Sequence, residues 1–264
     1  MQRVLITGCS TGIGRATAEL LTQRGYHVIA TARDPNSLCE LDVAERFPLD
    51  VTDVASVAAL CAAVGPIDVL VNNAGINAYG PVERIPLVEA ERLFETNFFG
   101  ALRMLQAFVP AMRERGRGTV VNISSLAGRI GPPLVGVYAA SKFALEGLSE
   151  ALRFELAHFG VRVILIEPGY TESAMRGRSP HFGDDEPPYA ELRRLWEGSD
   201  AVLVGGQRPT ATRVAEVIAE ALAADAPPLR WPVGADAELV LKARAAMDDE
   251  RFEATMRSFL KIDW

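Results

Sequence analysis

Several things are scarce in this 264-residue chain, and each shortage excludes a class of protein. Its three cysteines, Cys9, Cys39 and Cys61, are odd in number and lack metal-ligand spacing. They suit free thiols in a reducing cytosol rather than a disulfide framework, and no metal site is expected. No apolar run approaches the ~20 residues of a membrane span. Runs such as 163–166 are strand-sized. Basic residues are outnumbered 34 to 27, and the net charge of −7 argues against a nucleic-acid partner and an anionic membrane surface. The first apolar run starts almost at Met1, which leaves no room for a signal peptide, so a cytoplasmic location is expected. Internal repeats, low-complexity tracts and convincing linkers are absent. With 49% apolar residues there is ample material for one core, and a single domain over 1–264 is expected.

What the chain does have is an alternation of strand and helix patterns. Residues 3–7 form a short apolar run, followed by Gly8-Cys-Ser10-Thr11-Gly12-Ile13-Gly14 and a helical pattern to Gly25. Glycines between a strand and a helix allow a tight turn and close approach of backbone to a pyrophosphate, whose charge the helix N-terminus favours. The spacing is G-x-x-x-G-x-G rather than the common G-x-G-x-x-G, and a glycine-rich turn can also be only a turn. A second strand, 27–31, is followed by Ala32-Arg33-Asp34. A basic residue at this place accommodates a ribose 2′-phosphate, an acidic one reads the free hydroxyl. Arg33 therefore points to NADP(H) over NAD(H), with Ser10 able to add a hydroxyl contact to the phosphate and Asp34 leaving NAD(H) open. A third strand over 46–50 places Asp50 and Val51 where they can border an adenine. Asp53 starts a helix that ends at Gly65-Pro66. A fourth strand, 68–71, closes on Asn72-Asn73-Ala74-Gly75. Small and amide residues at a strand's carboxyl end fit a ligand crevice, while an Asn-rich turn is the plain alternative.

The helical pattern of 89–115 is interrupted at Asn97 and Gly100. Asparagine is a poor helix-interior residue, and here its amide can bind a water or support a backbone carbonyl. A fifth strand, 119–124, ends at Ser125. Tyr138-Ala-Ala-Ser-Lys142 then opens a long helix running to Phe159. Tyrosine and lysine four apart share a helix face. An ammonium at roughly 4 Å, at an effective dielectric of about 20, would favour the phenolate by about 4 kcal/mol, or about three pKa units. That would bring the phenol near neutrality, where an acid–base group works best. The spacing alone is weak, since most such pairs are plain helix surface. A sixth strand, 161–167, stops at Pro168-Gly169 and puts Tyr170, Thr171 and Ser173 beside the same crevice. The stretch 175–208 breaks the rhythm. Its charges, prolines and apolar residues (Phe182, Tyr189, Leu192, Leu195, Trp196) suit a lid, with a helix over 189–196. Thr212 then caps a further helix, 229–233 reads as a seventh strand, and 237–259 as a helical tail. This pattern predicts an α/β, single-domain Rossmann-type doubly wound parallel sheet of about seven strands with helices on both faces.

The motifs Thr7-Gly8-x-x-x-Gly12-Ile13-Gly14, Asn72 to Gly75, Ser125, Tyr138-x-x-x-Lys142, Asn97 and Pro168-Gly169 occur in one order. In that order they resemble the short-chain dehydrogenase/reductase family over nearly the whole chain. The run 138–147, with Thr7 to Ser10, Ala32 to Asp34 and the prolines before Leu229, is most similar to its 17β-hydroxysteroid and retinol dehydrogenase branch. The resemblance implies a hydride exchanged between NADP(H) and a carbonyl or secondary alcohol of a bulky apolar molecule. Residues 1–174 would form the cofactor-binding and catalytic core, 175–208 the substrate lid and 209–264 the last helix, strand and tail. Tyr138 would act as proton donor, Ser125 would hydrogen-bond the substrate oxygen, and Lys142 would lower the tyrosine pKa and bind the nicotinamide ribose. Asn97 would hold a water linking Lys142 to solvent. Ser124 rivals Ser125, but strand alternation lets only one face the site. The cofactor would lie against Gly8 to Gly14, Arg33, Asp50, Val51, Asn73, Ala74, Gly75, Tyr138, Lys142, Pro168, Gly169, Thr171 and Ser173. The substrate would lie against Ser125, Leu126, Leu134, Tyr170 and Met175. Relatives pair the helices around 97–115 and 138–159, which implies a homodimer or homotetramer. Two rival readings remain: a ketoreductase of acyl thioesters or polyketides, guided by Arg176, Arg178, Arg193 and Arg194, and a non-catalytic NADP(H) sensor.

Overall fold

The structure, a computed structural model, describes residues 1–172, 174–203 and 208–263. Strands β1 (Arg3–Ile6), β2 (His27–Ala32), β3 (Glu45–Pro48), β4 (Val69–Asn72), β5 (Gly118–Ile123), β6 (Val161–Pro168) and β7 (Arg230–Val233) form one parallel sheet, in the order β3-β2-β1-β4-β5-β6-β7. The order runs outward from β1 in one direction and from β4 in the other. Loops leaving the two strands diverge there and open a crevice at their carboxyl ends.

Helices cover both faces, which is why the strands are almost continuously apolar. Along β1, Val4 and Ile6 face α1 (Gly12–Gln23) and α8 (Ala211–Ala223), where they meet Ala18, Leu21, Val214 and Ile218. Leu5 between them faces the other way, toward Leu60 of α2 (Val54–Val64), Met104 and Phe108 of α4 (Gly100–Glu114) and Leu156 of α5 (Gly136–Ala157). Each fully buried Leu or Ile is worth roughly 1.5–3 kcal/mol relative to exposure. A polar residue at Leu5 or Ile29 would therefore attack one whole layer.

Elsewhere the chain departs from the periodicity in specific ways. The helix interrupted at Asn97 is α3 (Leu87–Phe94), then a π-helical turn (Glu95–Phe99), then α4. The wider turn shifts the register so that Asn97 is buried, 2% exposed. Thr210, not Thr212, caps α8, because its hydroxyl accepts the Arg213 N–H at 3.2 Å. The C-terminal tail is two helices, α9 (Ala235–Ala246) and α10 (Asp249–Leu260), separated where Asp248 accepts the Arg251 N–H at 2.8 Å. The stretch after β6 contains α6 (Ala174–Arg178) and α7 (Ala190–Leu203), the latter longer than the predicted 189–196. Leu192 and Trp196 of α7 join Leu126, Val240 and Leu260 in a third apolar cluster above the strand ends. Among the described residues, no helix is long and apolar enough to cross a membrane.

Candidate active site

A cleft of about 600 Å³ runs along the carboxyl edge of the sheet. At one end lies the turn between β1 and α1. Gly8 has φ +75°, and a Cβ there would press to 3.0 Å on the Ala74 backbone. A Cβ on Gly14 would overlap the Gly8 carbonyl and the Asn73 amide, so glycine lets α1 close onto the turn. Thr11 is the N-cap of α1, makes no side-chain cap bond and borders the cleft, and the first turn of α1 carries no acidic residue. The N–H groups at this helix end favour an anion. The Thr7 hydroxyl accepts the N–H groups of Asn73 (3.0 Å) and Ala74 (2.9 Å), and Asn73 Nδ2 donates to the Thr7 carbonyl at 2.8 Å. The Asn-rich turn is thus the brace that sets the glycine turn.

Ser10, Gly12, Ile13, Arg33, Asp50, Val51, Ala74, Gly75, Pro168, Gly169 and Thr171 border the cleft, while Gly14 lies beneath it. Ser173 falls outside the described residues. Arg33 is exposed at the rim. Burial pushes the Asp50 carboxyl up, but hydrogen bonds from Thr52 and the Arg33 charge outweigh it and hold the group below its ordinary value. A cation thus stands at the end of β2, beside an ionised carboxylate. The glycine turn and the open helix end together fit the pyrophosphate of a dinucleotide, with this cation at the end of β2.

Tyr138, Ser125 and Lys142 converge at the middle of the cleft. Ser125 follows β5, and its Oγ accepts the Ala127 N–H at 3.1 Å and hydrogen-bonds the Tyr138 phenol. Ser124 is only 3% exposed and turns toward Glu146, so the alternation resolves in favour of Ser125. Lys142 is buried, and its Nζ donates to the Ile123 carbonyl at 2.8 Å. Asn97 lies behind the wall rather than on it. Its Oδ1 accepts the Ile76 N–H at 2.8 Å, and its Nδ2 donates to the Ile76 carbonyl at 2.9 Å and to Ser141 Oγ at 3.0 Å. These contacts support the backbone segment at Ile76.

The electrostatics correct one expectation. Lys142 was expected to bring the phenol near neutrality. Instead burial pushes Tyr138 up to about 12, helped by the neighbouring Tyr79 and opposed by the Ser125 hydroxyl. Tyr138 is half-buried: protein packs around it, and the residue still borders the cleft. The ammonium stands 5.8 Å from the ring centroid and is bonded elsewhere. Burial also pushes Lys142 down to about 8, opposed by the Glu146 carboxylate. Desolvation, not the ion pair, is the leading effect on both groups.

The far end of the cleft is apolar and aromatic. Leu126, Tyr170 and Met175 line it as expected, joined by Tyr79, Val135 and Trp196. Leu134 does not. Its φ of +63° turns it into the third apolar cluster, and its carbonyl accepts the Gly80 N–H at 2.8 Å. Its neighbour Val135 faces the cleft in its place. Trp196 comes from the stretch expected to form a lid, whereas Tyr79 went unrecognised because it reaches the site only through tertiary packing; an aromatic four residues past Gly75 was the one hint. Of the four arginines considered for a basic entrance, Arg178 borders the cleft. Arg193 pairs with Glu197 and Asp184, and Arg194 with Glu191. The side chain of Arg176 lies outside the described residues.

Comparison with known proteins agrees with this geometry. The short chain dehydrogenase family model matches residues 2–182, and the chain belongs to that family of oxidoreductases. It is 32% identical over 275 residues to a 3-ketodihydrosphingosine reductase of Bacteroides thetaiotaomicron, covering 99% of this chain and 98% of that one. It is 36% identical over 248 residues to retinol dehydrogenase 8 of Bos taurus, covering 86% and 80%. A solved short chain dehydrogenase from Burkholderia cenocepacia, in complex with NADP, aligns with a TM-score of 0.78 at 27% identity, covering 98% and 97%.

Proposed function

We propose that this oxidoreductase uses NADP(H) to reduce the carbonyl of a bulky apolar molecule, steroid- or retinoid-like in size and polarity. The observation that carries the reading is the continuity of the cleft. A glycine turn with a cation lies at one end, an aromatic and aliphatic bay at the other, and Tyr138 with Ser125 between them. NADP(H), when bound, supplies or takes up the hydride. Gly8 to Ile13 would hold its pyrophosphate, Arg33 its 2′-phosphate, Asp50 and Val51 its adenine, and Gly75, Lys142, Pro168, Gly169 and Thr171 its nicotinamide half, with Ser173 as a further contact.

The protein's own contribution is a proton and an orientation. A phenol raised to about 12 is fully protonated at neutral pH, so Tyr138 can donate to a carbonyl oxygen that gains charge. Ser125, already hydrogen-bonded to that phenol, can place a second hydroxyl on the same oxygen. Lys142 keeps a cation beside the phenol and lowers the cost of the phenolate left after transfer. Asn97 acts one layer back, fixing the strand-end segment at Ile76 that borders the cleft. The stretch 175–208 serves as the lid, with Met175 and Trp196 closing over the substrate. The retinol dehydrogenase and ketodihydrosphingosine reductase relatives both support a large lipid-like substrate. The exposed Phe143 and Phe154 of α5, with Phe159 just beyond its end, support self-association through that helix. A second reading, an acyl thioester ketoreductase, rests on Arg178 at the cleft.

The test is NADPH consumption across steroid ketones, retinal, long-chain keto lipids, small aromatic aldehydes and a β-ketoacyl thioester. Preference for a bulky apolar carbonyl is expected. Preference for the thioester would move the enzyme to the second reading, and NADPH binding without turnover of any of them would favour a sensor.

A further inference from the structure

The proton-donor reading leaves unused a group of buried charges behind Lys142. Glu146 lies one turn beyond Lys142 on α5, and Glu167 near the end of β6; they are 4% and 1% exposed. Arg230 of β7 reaches both, with Nε 3.0 Å from Glu146 Oε2 and 3.2 Å from Glu167 Oε1. Arg129 adds a contact to Glu167 at 3.4 Å, and Glu150 meets Arg230 from the solvent side. The 3₁₀ turn Leu126–Gly128 presses against this part of α5. A Cβ on Gly128 would stand 2.7 Å from Ser124 Oγ, 3.0 Å from Glu146 Cγ and 3.3 Å from Lys142 Cβ, so the three side chains share one small space.

The charges around that space do not balance without the lysine. Glu146, Glu150 and Glu167 set three carboxylates against the two guanidiniums of Arg129 and Arg230, which leaves one negative charge over once the pH passes the raised value of about 7 at Glu167. The Lys142 ammonium is the one further cation among the groups described here: the root of its side chain borders the same space, and its Nζ reaches to the Ile123 carbonyl. A buried lysine otherwise tends to give up its proton.

We propose that Glu146, clamped by Arg230 from β7, is a positioning residue that keeps Lys142 charged and aimed at the Ile123 carbonyl on the cleft wall. The site is thereby tied to the last strand of the sheet, far from it in sequence. The groups facing Glu146 are Lys142 and Glu150 on its own helix, Ser124 after β5, Arg129 after the 3₁₀ turn, Glu167 on β6 and Arg230 on β7. The catalytic consequence rests on the reductase reading, but the test does not.

The chain has three lysines, and Lys242 and Lys261 are exposed. With three signals to resolve, ¹³Cε-lysine NMR therefore reads Lys142 directly, as the signal held below the ordinary lysine value. In E146Q its midpoint is expected to fall by about one pH unit, a tenfold loss of ammonium on the alkaline side. In E150Q, which removes an exposed partner of Arg230, it is expected to stay. An unmoved midpoint in E146Q, or an equal shift in E150Q, would overturn the proposal. Should E146Q not fold, the wild-type curve suffices. Lys142 must then show a second, acid-side inflection as Glu146 takes up its proton, and a single-step curve refutes the coupling. The alkaline limb of kcat/KM should move with the NMR midpoint. A protein that reduces no carbonyl would sink the reductase reading and leave the NMR result standing.

Discussion

The floor and the roof of the cleft are built by different physics. The floor is laid by the ends of β1, β4, β5 and β6, whose side chains are buried on both faces and whose backbones are paired with neighbours. The roof, residues 174–203, is held among the described residues by backbone bonds between Tyr79 and the Pro180–Phe182 segment and by side-chain bonds to residues far away in sequence. The Arg84 guanidinium donates to the Gly183 (2.8 Å) and Pro187 (2.7 Å) carbonyls, the Tyr189 hydroxyl donates to Glu83 at 2.9 Å, and His181 stacks on Tyr79 at 4.8 Å. Leu192 and Trp196 add the apolar contact. Exposed polar bonds of this kind are worth little singly, while the sheet layers are cooperative. The groups proposed for proton transfer therefore sit on the rigid layer, and those proposed to select the substrate sit on the weaker one.

The comparison can be tested from both sides. The largest effect is expected on the floor. Tyr138→Phe should lower kcat by about 10²–10⁴-fold, the range of a lost general acid, with NADPH affinity within twofold. Steady-state kinetics and cofactor fluorescence check both, and full turnover would break the division.

A second floor effect is one of stability. Burial and the Glu146 charge push Glu167 up to about 7, with Arg129 and Arg230 opposing. A carboxyl whose folded pKa is raised costs nothing below its unfolded value near 4.5, and its cost grows until pH passes about 7. Glu167→Gln removes that cost. Relative to wild type, the variant should gain roughly 2 kcal/mol between pH 4.5 and pH 8, allowing for partial solvent screening. Urea unfolding at the two pH values reads it, and a pH-independent difference would mean that Glu167 is ionised throughout.

At the rim, Arg33→Ala should weaken NADPH binding about tenfold and leave NADH binding unchanged, as expected for one charge-assisted bond to a phosphate. Titration with both nucleotides decides it, and equal losses would remove Arg33 from the 2′-phosphate.

The smallest effect belongs to the roof. Arg84→Ala should raise KM about fivefold for a bulky substrate, roughly 1 kcal/mol, with kcat within twofold. A kcat loss as large as that of Tyr138→Phe would show that floor and roof are one unit.

Most of the floor was legible in the chain, because it depends on local rules. Strand runs of four to eight residues, glycine where the backbone must turn with positive φ, and Tyr138 one helical turn from Lys142 are all written in adjacent positions. The helix cap at Thr210 was missed by two residues, because several polar residues in a row can each act as a cap, and the break at Asp248 was not read within the single tail of 237–259. Leu134 was misplaced because one left-handed residue reverses which neighbour faces the cleft.

The sequence by itself determined the parallel sheet, the order of its elements, and the position of Ser125 at a strand end with Tyr138 and Lys142 in the helix that follows, since periodicity and turn chemistry act over a few residues. Only the tertiary structure decided the electrostatics and the bay. The Tyr138 phenol is governed by how much protein surrounds it, and that enclosure is assembled from distant segments. The same holds for Glu146, Glu167 and Arg230, which are 21 and 63 positions apart along the chain and meet because β6 and β7 lie side by side under α5. Desolvation and long-range charge depend on position in space, which no local spacing encodes.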